Sequence, residues 1–156
     1  MHRPDLKPAP TFSEQFIDGG KNDQNKPGIE ANLDVQTVIG LASGVPVTFA
    51  SVGRNDTTAF NQVSQSNANN LCSLFMQLGA RGISVIVASG DGGVAGSRPS
   101  NTCTKFVPTF PASCPYVTTV GATTGVHEIG ADLSAGGFSA YFARPSYQNN
   151  AVSSYL

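Results

Sequence analysis

The apolar positions change period twice along the chain. From Ile29 to Ala42 they recur at helical spacing, with Ile29, Leu33, Val38 and Leu41 about one turn apart. Gly44 and Pro46 then end the run. Val45 to Ser51 is enriched in β-branched and aromatic residues and predicts a strand. A second helix is predicted from Ser66 to Leu78, stopped by Gly79 and Gly82. Ile83 to Ala88 is a continuous apolar run of strand length, the pattern of a strand buried on both faces of a parallel sheet. Tyr116 to Ala122 predicts another strand, and Gly90 to Pro115 a long loop. Residues 1–27 are rich in Pro and Asn and read as an irregular lead-in. Helices alternating with strands imply an α/β domain with a mainly parallel sheet.

Composition narrows the function. The 156 residues fit one domain. Only 12% are charged, with net charge −1, so Ser, Thr and Asn supply most surface polarity. Without a basic run, nucleic acid is excluded as a partner. The longest strongly apolar stretch, Ile83 to Ala88, cannot span a bilayer, so no membrane partner is expected. Such a composition fits a secreted parent protein, yet residues 1–8 hold no apolar signal-peptide core.

The cysteines are Cys72, Cys103 and Cys114. Cys103 and Cys114 lie eleven apart around a Pro-containing loop, either as a disulfide or as two unpaired thiols. Cys72, in an apolar stretch, reads as a buried thiol. No zinc spacing is present, and His2 and His127 lack partners, which argues against a metalloenzyme. Asn55-Asp56-Thr57 is a glycosylation sequon, meaningful only in a secreted protein. His127 reads as a surface residue, and Phe138, Tyr141, Phe142 and Tyr147 as core or cleft wall.

Two features carry candidate chemistry. Ser89-Gly90-Asp91-Gly92-Gly93 follows the Ile83–Ala88 strand, and in parallel sheets ligands gather at carboxyl ends of strands. Taken alone it could be an ordinary turn. It lacks the Lys-Ser/Thr of a P-loop and the spacing of a dinucleotide fingerprint, so a flavodoxin-like ligand domain has only the α/β alternation behind it. Glu30 and Asp34 stand four apart, placing both carboxylates on one helix face. Paired carboxylates support acid–base chemistry. Two solvated acids near a helix N-terminus would look the same.

Three segments together go further. Gly28 to Gln36 (GIEANLDVQ), Ala88 to Gly93 (ASGDGG) and Phe106 to Thr123 (FVPTFPASCPYVTTVGAT) resemble the sedolisins, the serine-carboxyl peptidases that include fungal tripeptidyl-peptidases. Gly136-Gly137-Phe138-Ser139 and Arg144-Pro145-Ser146-Tyr147-Gln148 are similar to the fungal members. The resemblance covers the chain from about Arg3 to its end. It implies a three-layer, subtilisin-like α/β fold with a mainly parallel sheet, and proteolysis at acid pH through a Ser-Glu-Asp triad. Glu30 matches the general base, Asp34 the residue that orients it, and Asp91 the oxyanion-hole Asp. A carboxylate base stays ionised where His would be protonated and useless as a base. An oxyanion hole needs donors, so Asp91 must be protonated, which acid pH and partial burial favour.

The same resemblance exposes departures. The family nucleophile lies in a Gly-Thr-Ser motif, and residues 1–156 contain none. Ser89, Ser97, Ser134 and Ser139 stand in the wrong context to replace it. The family calcium site uses later residues, so none is expected here. After Gly53 the family carries a few tens more residues, including a strand ending Ser-Tyr-Gly. The expectation is an interior fragment of a sedolisin-like catalytic domain, without its prodomain, the segment after Gly53 and the nucleophile. It is extracellular in its parent, acts on peptide or protein substrates as a family, and is inactive alone. The alternative is a non-catalytic pseudopeptidase that binds peptides.

Overall fold

The computed structural model describes residues 11–53, 63–96 and 105–156. They fall into two compact units, 1–56 and 57–156.

The first unit is a β-α-β motif. Strand β1 (Ser13–Ile17) leads through helix α1 (Ile29–Leu41) to β2 (Thr48–Val52). The strands pair in parallel, from Ser13 opposite Thr48 to Ile17 opposite Val52. A parallel pair needs a crossover connection, and α1 supplies it. Phe12 and Phe49 meet edge-on with ring centroids 6.0 Å apart, and the Ser13 and Thr48 hydroxyls lie 2.7 Å apart. Strand β1 corrects the reading of residues 1–27 as irregular. Its apolar positions are few, and its partner lies 35 positions away, so local composition carries little sign of it.

Helix α1 starts at Ile29, as its pattern predicts, but its less exposed positions are Ala31, Val35, Ile39 and the buried Gly40. Ile29, Leu33, Val38 and Leu41 remain 47–90% exposed. The periodicity found the helix and missed its inner face, because Ile29, Leu33, Val38 and Leu41 lie outside the stripe formed by Ala31, Val35 and Ile39.

In the second unit, α2 (Gln65–Ala80) begins at Ser64, whose hydroxyl accepts the Asn67 N–H at 3.3 Å. Gly79 lies inside the helix. Gly82, at φ +81°, follows its end, where the Ile83 N–H bonds the Leu78 carbonyl at 3.1 Å. Ala68 and Cys72, one turn apart, face the core with Phe110 and Cys114. Val63, Phe75, Val117 and Phe142 surround them. Strands β3 (Ile86–Ala88) and β4 (Thr118–Val120) pair in parallel. Strands β5 (Thr123–Thr124) and β6 (Ile129–Gly130) form a small antiparallel hairpin, and α3 (Asn149–Tyr155) ends the chain. Both predicted strands are present but shorter than their apolar runs. The α/β class and the parallel pairing agree with the sequence reading.

The cysteine expectation fails. Cys114 is bonded to Cys72, not to Cys103, with Cα atoms 5.7 Å apart. Cys72 is therefore no free thiol. The bridge runs from the inner face of α2 to the turn after Phe110, a juxtaposition that proximity along the chain conceals. Cys103, Ser97, His2 and the sequon at Asn55 lie outside the described residues.

Candidate active site

Glu30 occupies the first turn of α1 and Asp34 the next. Both side chains are exposed and share one helix face, as four-residue spacing dictates. The helix dipole favours a carboxylate at Glu30. No Lys or Arg lies on α1. The pair therefore keeps the local arrangement that its spacing predicts.

Asp91 belongs to the second unit, in the turn that leaves β3 at its carboxyl end. This turn is held from several sides. The Ser89 N–H bonds the Val120 carbonyl at 3.0 Å, continuing the β3–β4 pairing by one residue. Thr109 Oγ1 donates to the Ser89 carbonyl at 2.8 Å. The Ala135 N–H donates to the Gly90 carbonyl at 2.9 Å, and the Gly93 N–H to the Leu133 carbonyl at 3.0 Å. Three separate regions, Thr109, Val120 and residues 133–135, thus fix the backbone on which Asp91 stands.

Glycine is required at two points here. Gly90 adopts φ +100°, and a Cβ there would lie 3.3 Å from the Ala135 Cβ. Gly121, just after β4, leaves room for Ser134: a Cβ would lie 2.6 Å from its Oγ. That hydroxyl accepts the Ala122 N–H at 3.0 Å and lies 3.4 Å from the Ser89 Oγ. Ser89 is 7% exposed, so its hydroxyl is a brace within the fold.

One expectation about Asp91 needs correction. Its side chain is exposed, not partly buried. The flanking Ser89 and Gly92 take the buried positions, leaving the carboxyl outermost in the turn. Sequence reasoning also missed Thr109 and Ser134 as braces of this turn. Thr109 lay inside the long family-like segment, whereas Ser134 carried no signal of its own.

Among the described residues, no group of three His, Cys, Asp or Glu side chains gathers to hold a metal. None of the described helices is long and apolar enough to cross a membrane.

Comparison with known proteins gives the arrangement a context. No family model matches the chain. It is 39% identical to a probable tripeptidyl-peptidase SED2 of Arthroderma benhamiae over 193 aligned residues, 93% of this chain and 32% of the relative. It is 36% identical to a tripeptidyl-peptidase SED3 of Arthroderma otae over 203 residues, covering all of this chain and 34% of the relative. The chain thus spans about a third of the length of these relatives. The 203 aligned positions exceed its 156 residues, so the matched stretch of the relative holds residues with no counterpart here. A solved Pseudomonas sedolisin, a serine-carboxyl proteinase complexed with two molecules of pseudo-iodotyrostatin, shares the fold. Its TM-score is 0.58 at 24% identity, over 89% of this chain and 52% of that one.

Proposed function

The chain belongs to the sedolisin family, and from that premise we propose that it carries part of the apparatus of an acid-acting serine-type peptidase. The observation that carries this reading is the 36–39% identity to tripeptidyl-peptidases along 93–100% of the chain. The substrate class is peptides or proteins, attacked by a serine hydroxyl.

Each residue has a role that its place allows. Glu30 is the general base that takes the nucleophile's proton. Asp34, one turn along α1, orients it. In acid, a carboxylate remains competent as a base where imidazole is already protonated. Asp91 in its protonated form donates to the oxygen that gains negative charge when the peptide carbonyl becomes tetrahedral. Preorganised donors of this kind are among the largest contributions to acyl-transfer catalysis. The bracing of residues 89–93 supports that role, because a donor held in place needs no reorganisation during reaction.

Residues 1–156 contain no Gly-Thr-Ser motif, and the matched stretch of the relative holds residues with no counterpart here, which is compatible with a missing segment such as the one expected after Gly53. We therefore read the 156-residue chain as lacking the nucleophile and inactive alone, with calcium in the complete enzyme held by residues outside it. The Cys72–Cys114 bridge supports an oxidising, extracellular setting for the parent. The absent motif also favours a second reading, a pseudopeptidase that binds peptides without cleaving them.

The test is the full-length transcript, followed by assay of its product. A transcript that reads into Gly-Thr-Ser should give acid-dependent peptide cleavage, lost in Glu30→Gln. A transcript ending at Leu156 sinks the enzyme reading and leaves the binding one. Acid-dependent cleavage by the pure 156-residue chain, abolished by Glu30→Gln, would overturn its assignment as inactive.

A further inference from the structure

The second unit contains a cavity of about 460 Å³ that borders the Asp91 turn at its braces Ser89 and Thr109, without Asp91 itself in its lining. Its size is within the roughly 300–1,000 Å³ range of small-molecule sites. Three stretches line it: the turn from Pro108 to Pro115, the run from Ala135 to Ser139, and the segment from Phe142 to Gln148, with Val117 and Thr119 beside them. Cys114 belongs to the first stretch, so the bridge to Cys72 ties that wall to α2.

The chemistry of the lining is one-sided. Its single charged residue is Arg144, and no acid is present. Arg144 has no ion-pair or hydrogen-bond partner among the described residues. Phe138 and Tyr147 are 56% and 70% exposed. Most nearby hydroxyls are already engaged. Tyr147 Oη donates to the Pro115 carbonyl at 2.9 Å, and Thr119 Oγ1 to the Ala112 carbonyl at 2.6 Å. Ser139 Oγ accepts the Tyr141 and Phe142 N–H groups. The exposed guanidinium is therefore the strong donor left over in a lining that also holds Phe138, Phe142 and Tyr147.

We propose that this cavity binds the carboxylate end of a peptide whose last side chain is apolar or aromatic. Arg144 would take the carboxylate through paired N–H donors, the geometry for which a guanidinium is built. Phe138 and Tyr147 would cover the side chain. One cation and no anion match a ligand with a single negative charge. The inference rests on the peptide-directed reading for its ligand class, but it requires no cleavage.

The experiment is calorimetric titration of the purified 156-residue chain at pH 6 with N-acetyl-phenylalanine and, separately, N-acetyl-phenylalaninamide. The acid should bind about tenfold to a hundredfold more tightly than the amide, the range set by a hydrogen bond to a charged group. Arg144→Gln should abolish that preference, and Arg144→Lys should keep part of it. Near-UV circular dichroism verifies that each variant is folded. Three results overturn the proposal: equal binding of acid and amide, an acid preference that survives Arg144→Gln, or no saturation by either probe up to about 10 mM with folded chain. None of these touches the peptidase reading, which stands or falls on turnover and Glu30.

Discussion

Breaking the Cys72–Cys114 bridge should cost more stability than any other single covalent change in the second unit. The bridge closes a 42-residue separation and joins the two most central elements of the core, α2 and the turn after Phe110. In the chain-entropy account, the penalty relieved by opening a loop of that length is about 4 kcal/mol at 25 °C. The clean perturbation is the Cys72→Ala/Cys114→Ala pair. Both positions are nearly sealed from solvent, at 2% and 4% exposure, so serine would add a buried hydroxyl of its own. With a urea slope of about 1–3 kcal/mol/M, the unfolding midpoint should fall by about 1.3–4 M. Reduction of the wild type should give a comparable fall. Where the variant does not fold at all, disulfide mapping of the oxidised wild type still decides. A Cys72–Cys114 peptide is expected, together with one free thiol per unfolded chain. A mapped Cys103–Cys114 link, or a midpoint unmoved by reduction, refutes the reasoning.

Smaller perturbations test the frame around Asp91 and the start of α2. Gly90→Ala forces a side chain into φ +100° beside the Ala135 Cβ and should destabilise the unit by about 1–3 kcal/mol, read by denaturant titration. Thr109→Val removes the donor to the Ser89 carbonyl while keeping the shape, and should cost about 1 kcal/mol, with faster amide exchange at residues 89–93. Ser64→Ala deletes the cap on the Asn67 N–H and should cost about 1 kcal/mol in the same titration.

How much of this was legible in the chain depends on the distance over which each feature is encoded. Helix α2 was readable because its stop, Gly82 just past Ala80, is local, whereas the Ser64 cap ahead of Gln65 was not singled out in the sequence. Glu30 and Asp34 were readable for the same reason, since four-residue spacing alone puts them on one face. The turn at Asp91 was visible as glycine-rich sequence after an apolar run, but its exposure was not. Exposure depends on how residues 133–135 and Thr109 pack around it. Strand β1 and the Cys72–Cys114 bridge escaped for a related reason. Each is defined by a partner 35 or more positions away, and neither Ser13–Ile17 nor Cys72 differs locally from what an unstructured lead-in or a buried thiol would show.

The register of β1 against β2 has a practical side for anyone preparing shortened versions of this chain. Starting a clone at Gly28 would look harmless, since it retains α1, its two acids and the whole second unit. It would also strip β2 of the strand bonded along all five of its residues. The bared row of amides and carbonyls would be free to recruit a strand from another molecule. Such a clone should collect in inclusion bodies, while one beginning at Thr11 keeps the pairing and is the shorter form to prefer.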